Sequence, residues 1–128
     1  MIEHISPPGA PTPRGPYSPA VRAGDHIYVA GQIPIDPVTG QVISGDIQTE
    51  TRQVLTNIKN ILEGCGSSLA QVVRCGVYLT QSGDFKGMND VYAEFFGEAR
   101  PARTTIIVAA LPRKDARVEI DAIAYTGA

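Results

Sequence analysis

From Asp46 onward the apolar residues Ile47, Val54, Leu55, Ile58, Ile61, Leu62 and Cys65 recur at spacings of three, four and seven, the pattern of a long helix with one buried face. Asp46 suits its N-cap, where a carboxylate accepts an orphan backbone N–H, and Gly66 suits the left-handed position that stops it. A second apolar stripe, Phe85, Met88, Val91, Tyr92 and Phe95, predicts another helix, with Asp84 as its expected cap. Between and around these helices the period changes. Short β-rich runs stand at Ala20 to Arg22 and at His26 to Gln32, with a hairpin turn at Gly24-Asp25. Gln71 to Thr80 reads as a strand, and so do Arg103 to Val108 and Arg117 to Tyr125, the last two joined through the turn-prone stretch Leu111 to Asp115. The order β-β-α-β-α-β-β, with hairpins at both ends, predicts an α+β fold: one mixed sheet with both helices on one face.

That arrangement leaves a face uncovered. In Ile27-Tyr28-Val29-Ala30 and in Ile106 to Leu111 successive residues point to opposite sides of the sheet, yet both sides are apolar. Two helices cover one side only, so the other is expected to be buried against further copies of the same chain.

The length of 128 residues fits one domain, 1–128, with one core. Eleven Lys and Arg against 13 Asp and Glu give a net charge of −2, which offers no basic footprint for nucleic acid or an anionic membrane. No segment is long and apolar enough to span a bilayer and the N-terminus lacks the form of a signal peptide, so a cytoplasmic location is expected. Cys65 and Cys75 form no C-x-x-C and no disulfide framework, and His4 and His26 stand too far apart to suggest a metal site. P-loop, dinucleotide and G-x-S-x-G signatures are missing. Six of the ten prolines fall between Pro7 and Pro19, which stiffens that segment and aims Tyr17.

Three polar residues call for a reason. Arg103 follows Pro101-Ala102 and opens an otherwise apolar strand, so its guanidinium is held at a sheet edge, where its planar fork suits a carboxylate of a substrate or of a neighbouring chain. In Val118-Glu119-Ile120-Asp121-Ala122 the alternation turns Glu119 and Asp121 away from the helices; a partly desolvated Glu119 is either a general acid/base or the partner of an arginine. Asn89 interrupts the second helical stripe only mildly and reads as solvated.

The phrases Gly15-Pro16-Tyr17-Ser18-Pro19-Ala20, Ala30-Gly31-Gln32-Ile33-Pro34, Asn89-Asp90-Val91-Tyr92, Pro101-Ala102-Arg103-Thr104-Thr105 and Val118 to Ala124 resemble, in that order, the signatures of the RidA (YjgF) family of reactive imine/enamine deaminases. The resemblance implies a chorismate-mutase-like α+β fold with a mixed six-stranded sheet, a homotrimer around a central β-barrel, and sites in the clefts between subunits. It implies hydrolysis of 2-imino or 2-enamino acids, such as 2-iminobutyrate or 2-iminopropanoate, to a 2-keto acid and ammonia, without a metal or organic cofactor. It makes Arg103 the clamp on the substrate carboxylate and puts Glu119 beside the attacking water. Tyr17 and Asn89 would line the cleft, the Gly31 backbone would contact the ligand, and the Thr105 carbonyl would help hold the water. Ala30 and Thr105 depart from the best-known members, many of which carry Ser or Thr at the first position and some of which carry Cys at the second. Two other readings stay open: a deaminase of the 2-aminomuconate type, with a second cationic contact from Arg14 or Arg100, and a non-catalytic ligand-binding or chaperone-like trimer. Endoribonuclease activity, ascribed to some members, finds no support in the charge.

Overall fold

The computed structural model describes residues 1–127. Six strands, β1 (Ile2–Ile5), β2 (Ala20–Ala23), β3 (His26–Gln32), β4 (Val72–Leu79), β5 (Ala102–Ile107) and β6 (Val118–Tyr125), form one sheet in the order β1-β2-β3-β6-β4-β5. Every pairing is antiparallel except β4 with β5, so the sheet is mixed. Helices α1 (Ile47–Gly64) and α2 (Phe85–Phe96) pack side by side on one face.

The first helix forms as its sequence dictates. Asp46 accepts the Thr49 N–H at 2.7 Å, a cap worth about 1 kcal/mol. At the other end Gly66 takes φ +80°, the Gly66 N–H donates to the Glu63 carbonyl and the Ser67 N–H to that of Leu62. The buried face of α1 meets the helix-side residues of β6, Val118, Ile120, Ala122 and Ala124, all at most 2% exposed. Asn57, buried in the middle of α1, donates to the Ile35 carbonyl at 2.8 Å and so ties down the loop after β3.

Four expectations are corrected. Residues Ile2–Ile5 form a strand paired with β2, for which the short run before the prolines carried too little pattern. The last two strands make no hairpin: β6 crosses between β3 and β4, and β5 lies parallel to β4 at the sheet edge. A parallel pair needs a crossover, and α2 supplies it. Asp84 makes no capping bond to α2; Arg117 takes its carboxylate instead, Nη2 to Oδ1 at 2.6 Å and Nε to Oδ2 at 3.2 Å. Finally, α2 buries Phe96 rather than Phe95, and leaves Phe85 exposed.

The uncovered face carries Tyr28, Tyr78, Ile106 and Ile123 together with Arg74, Glu119 and Asp121, as the strand registers require. Tyr28 and Ile106 are exposed. Asp121 is held in place there, accepting the Gly76 N–H at 2.8 Å and the Tyr78 hydroxyl at 3.1 Å.

Candidate active site

Glu119 stands on β6 opposite Tyr78 of β4, on the face away from the helices, as the alternation predicts. Burial pushes its carboxyl above the usual range, and the charge of Asp121 two residues on adds to the shift. On its other side the β3–β6 register slips between Val29 and Gln32, so Gly31 sits at a bulge. A Cβ built on Gly31 would fall inside the Glu119 carboxylate, with the Glu119 Cδ at 2.9 Å. Glycine is what lets the bulged backbone approach that carboxylate. The Ala30 N–H is carried off to the Pro19 carbonyl at 3.0 Å, which fastens the end of the proline-rich segment across the bulge. A cleft of about 480 Å³ opens here, lined by Tyr17, Gly31 and Glu119 among others.

Gly31→Ala follows directly. The atom it would strike is the end of a flexible side chain, so the expected outcome is an intact fold with Glu119 displaced: the melting temperature moves by only a few degrees in calorimetry, while a crystal structure of the variant shows the Glu119 side chain in a new position.

The other predicted site residues gather elsewhere. Arg103 lies on edge strand β5 beside Cys75 of β4, and Cys75 is fully buried on the helix side. Its guanidinium carbon stands 4.6 Å from the centre of the Tyr92 ring and 5.7 Å from that of Phe85. Both rings belong to α2, and Asn89 lies on the same helix face, four residues after Phe85 and three before Tyr92. Two aromatic faces thus pin the guanidinium while leaving its N–H fork free, and among the described residues Arg103 has no carboxylate partner. Thr105, two residues along β5, shares the side of Arg103. Beneath the pinned arginine, the Tyr92 hydroxyl is buried without a hydrogen-bond partner among the described residues, and burial pushes the Cys75 thiol up to about 11. That thiol is a packing group and no nucleophile.

The sites named by residue therefore fall into two clusters. Tyr17, Gly31 and Glu119 share the cleft; Asn89, Arg103 and Thr105 stand on the opposite face of the same sheet, at its β5 edge. The aromatic pair Phe85 and Tyr92 went unread as a support for Arg103, because at helical spacing a Phe and a Tyr signal core packing before anything else. Arg113, also on the cleft wall, was hidden in a stretch legible only as a turn.

Comparison with known proteins shows the family. The profile of the family described as Endoribonuclease L-PSP matches residues 8–126. A RutC family protein of Pyrococcus horikoshii is 55% identical over 98% of this chain and 98% of its own length. A 2-iminobutanoate/2-iminopropanoate deaminase of Capra hircus is 46% identical over 96% of this chain and 89% of its own. The chain belongs to the RidA/YjgF family. The crystal structure of RidA from the Antarctic bacterium Psychrobacter sp. PAMC 21119 superposes with a TM-score of 0.91 at 40% identity, covering 96% of this chain and 98% of that one. Family membership thus rests on sequence over nearly the whole chain and on the RidA fold together.

Proposed function

We propose that this RidA/YjgF member is a hydrolytic deaminase of 2-imino and 2-enamino acids, acting as a homotrimer around a central β-barrel with each site shared between two subunits. One observation carries the reading: Arg103 and Glu119, the two groups the chemistry needs, stand on opposite faces of one sheet, so a single site can hold both only if two copies contribute. The exposed Tyr28 and Ile106 on the uncovered face support the same assembly.

The chemistry is modest and the residues fit it. Arg103, held by Phe85 and Tyr92 with its fork open, takes the substrate carboxylate in a two-point contact. Asn89 and Thr105 of the same subunit, and Tyr17 of the neighbour, close around it. Glu119 of the neighbour accepts a proton as water adds to the C=N carbon, and returns it to nitrogen so that the C–N bond breaks and ammonia leaves. Water adds across the imine, and the products are a 2-keto acid and ammonia. An enamine first takes up a proton at carbon to reach the same imine. A raised carboxyl pKa is what a group that both takes and gives protons near neutral pH requires. A ribonuclease reading has less to stand on, since the chain carries a net charge of −2.

The test mixes two disabled variants. Arg103→Met and Glu119→Gln are each assayed for ammonia release from 2-iminobutyrate generated in situ by an amino-acid oxidase, then refolded together in equal amounts. Random co-assembly places an intact arginine opposite an intact glutamate at about one interface in four, so roughly a quarter of wild-type activity returns. A mixture no more active than its parts refutes the shared site, and wild-type protein that leaves the imine's decay unchanged refutes the deaminase.

A further inference from the structure

Glu119 and Asp121 leave β6 on the same side, and each carboxylate is seated over a glycine of a neighbouring strand: Glu119 over Gly31 of β3, Asp121 over Gly76 of β4. A Cβ built on Gly76 would meet the Asp121 Oδ1 at 2.7 Å and the Tyr78 hydroxyl at 2.8 Å. The bare backbone lets those two side chains close over it. Both carboxylate oxygens are then taken, Oδ1 by the Gly76 N–H at 2.8 Å and Oδ2 by the Tyr78 hydroxyl at 3.1 Å. A donor on each oxygen fixes the orientation of Asp121 and favours its ionised form. The tyrosine is held in turn, since its bond to Asp121 raises the hydroxyl above the usual tyrosine range.

This clamp adjoins Glu119. Tyr78 is the residue paired with Glu119 across β4 and β6, and Asp121 follows Glu119 by two positions, about 7 Å along a strand. Arg74, the basic residue that β4 carries on this face, donates to the Thr104 hydroxyl at 3.2 Å and makes no ion pair among the described residues. Against Glu119, β3 brings the Gly31 backbone, and the cleft wall brings Tyr17, Arg14 and Arg113, neither arginine in an ion pair with Glu119 or Asp121 among the described residues. The charge that acts on the Glu119 carboxyl, after burial, is that of Asp121.

We propose that Tyr78 is a positioning residue for Glu119: with the Gly76 N–H it fixes the Asp121 carboxylate, so that the proton carrier works beside a negative charge held in one place. This rests on the deaminase reading above, in which Glu119 carries the proton. Without its tyrosine donor Asp121 is easier to protonate, and once neutral it no longer opposes the ionisation of Glu119. Loss of the hydroxyl therefore lowers the Glu119 pKa, in the same direction as Asp121→Asn and by less.

The experiment follows the Glu119 carboxyl carbon by NMR titration of isotope-labelled full-length protein, the signal being assigned as the one that Glu119→Gln removes, beside the pH profile of ammonia release from 2-iminobutyrate. Asp121→Asn is expected to lower the Glu119 pKa by at least about 0.5 pH units and Tyr78→Phe by at least about 0.2, with the acid limb of activity moving to lower pH in both. In the double variant Tyr78→Phe adds nothing to Asp121→Asn, because it acts through that carboxylate. A Glu119 pKa that Tyr78→Phe leaves in place or raises overturns the proposal, and so does an additive double variant. A weakened oligomer with the pKa unmoved overturns it in favour of a tyrosine that packs against a neighbouring subunit. Failure of the underlying reading looks different: the Glu119 pKa falls in Tyr78→Phe while the wild type leaves the imine's decay unchanged, which keeps the positioning and removes the deaminase.

Discussion

Glu119→Gln is expected to lower imine turnover by about 100-fold or more, the usual share of general acid/base catalysis, while leaving the oligomer and its affinity for a 2-keto acid product near wild-type levels. The substitution keeps the shape of the side chain and removes only its ability to carry a proton. Structural pairing would give the opposite result, a weakened assembly with turnover per site preserved, but among the described residues no cation pairs with Glu119. A second readout comes from Asp121. Its charge raises the Glu119 carboxyl, second to burial. Neutralising it by Asp121→Asn therefore lowers the Glu119 pKa, and the acid limb of the activity profile, where Glu119 becomes protonated and loses its capacity as a base, moves to lower pH. Ammonia release measured across pH for wild type and Asp121→Asn checks the direction; a limb that stays in place takes Glu119 out of the proton transfer.

The largest loss of stability is expected from Arg117→Met. Arg117 grips Asp84 with two bonds, donates to the Gly45 carbonyl, and its backbone N–H donates to Glu50 at 2.9 Å. Glu50 is 1% exposed and burial raises its carboxyl, so it depends on these partners. Taking the guanidinium away strands the Asp84 carboxylate in the interior and leaves Glu50 with the backbone N–H but without the nearby positive charge. Removing one partner of a buried pair costs about 3–5 kcal/mol, and since the Arg117 side chain is 31% exposed the lower end applies: about 3 kcal/mol, or a melting temperature lower by about 10 °C. The exposed pair Arg52 and Glu94, at a similar 2.8 Å, serves as the control; Arg52→Met is expected to cost less than about 0.5 kcal/mol because water screens that pair. Thermal unfolding of the two variants side by side measures the difference. Equal effects would mean that the Arg117 cluster adds nothing beyond a surface contact. The cluster also bears on the site, since it anchors the start of β6 two residues before Glu119 and holds the beginnings of both helices to it.

What was legible in the sequence is what local physics controls. Helix α1 is written with both its ends, because an N-cap carboxylate at Asp46 and a left-handed glycine at Gly66 act within a few residues of themselves. The outward direction of Glu119 was legible too, since strict alternation from Val118 to Ala124 leaves a strand one way to bury its apolar side. The phrases around Tyr17, Gly31, Asn89 and Arg103 pointed to the family, and the matches across the chain support it.

Only the tertiary structure decided which strands meet. The turn between β5 and β6 read as a hairpin, yet β6 finds better partners in β3 and β4 on both its edges, and no local signal reports such distant pairings. The same holds for Asp84, whose carboxylate suits a cap by type but is drawn to a guanidinium 33 residues away. The face taken by Arg103 was illegible because Arg103-Thr104-Thr105-Ile106-Ile107 does not alternate; its phase is set by Cys75 and Val77 on the neighbouring strand. That Arg103 and Glu119 stand on opposite faces of one sheet is thus a consequence of long-range pairing, which a linear pattern does not encode.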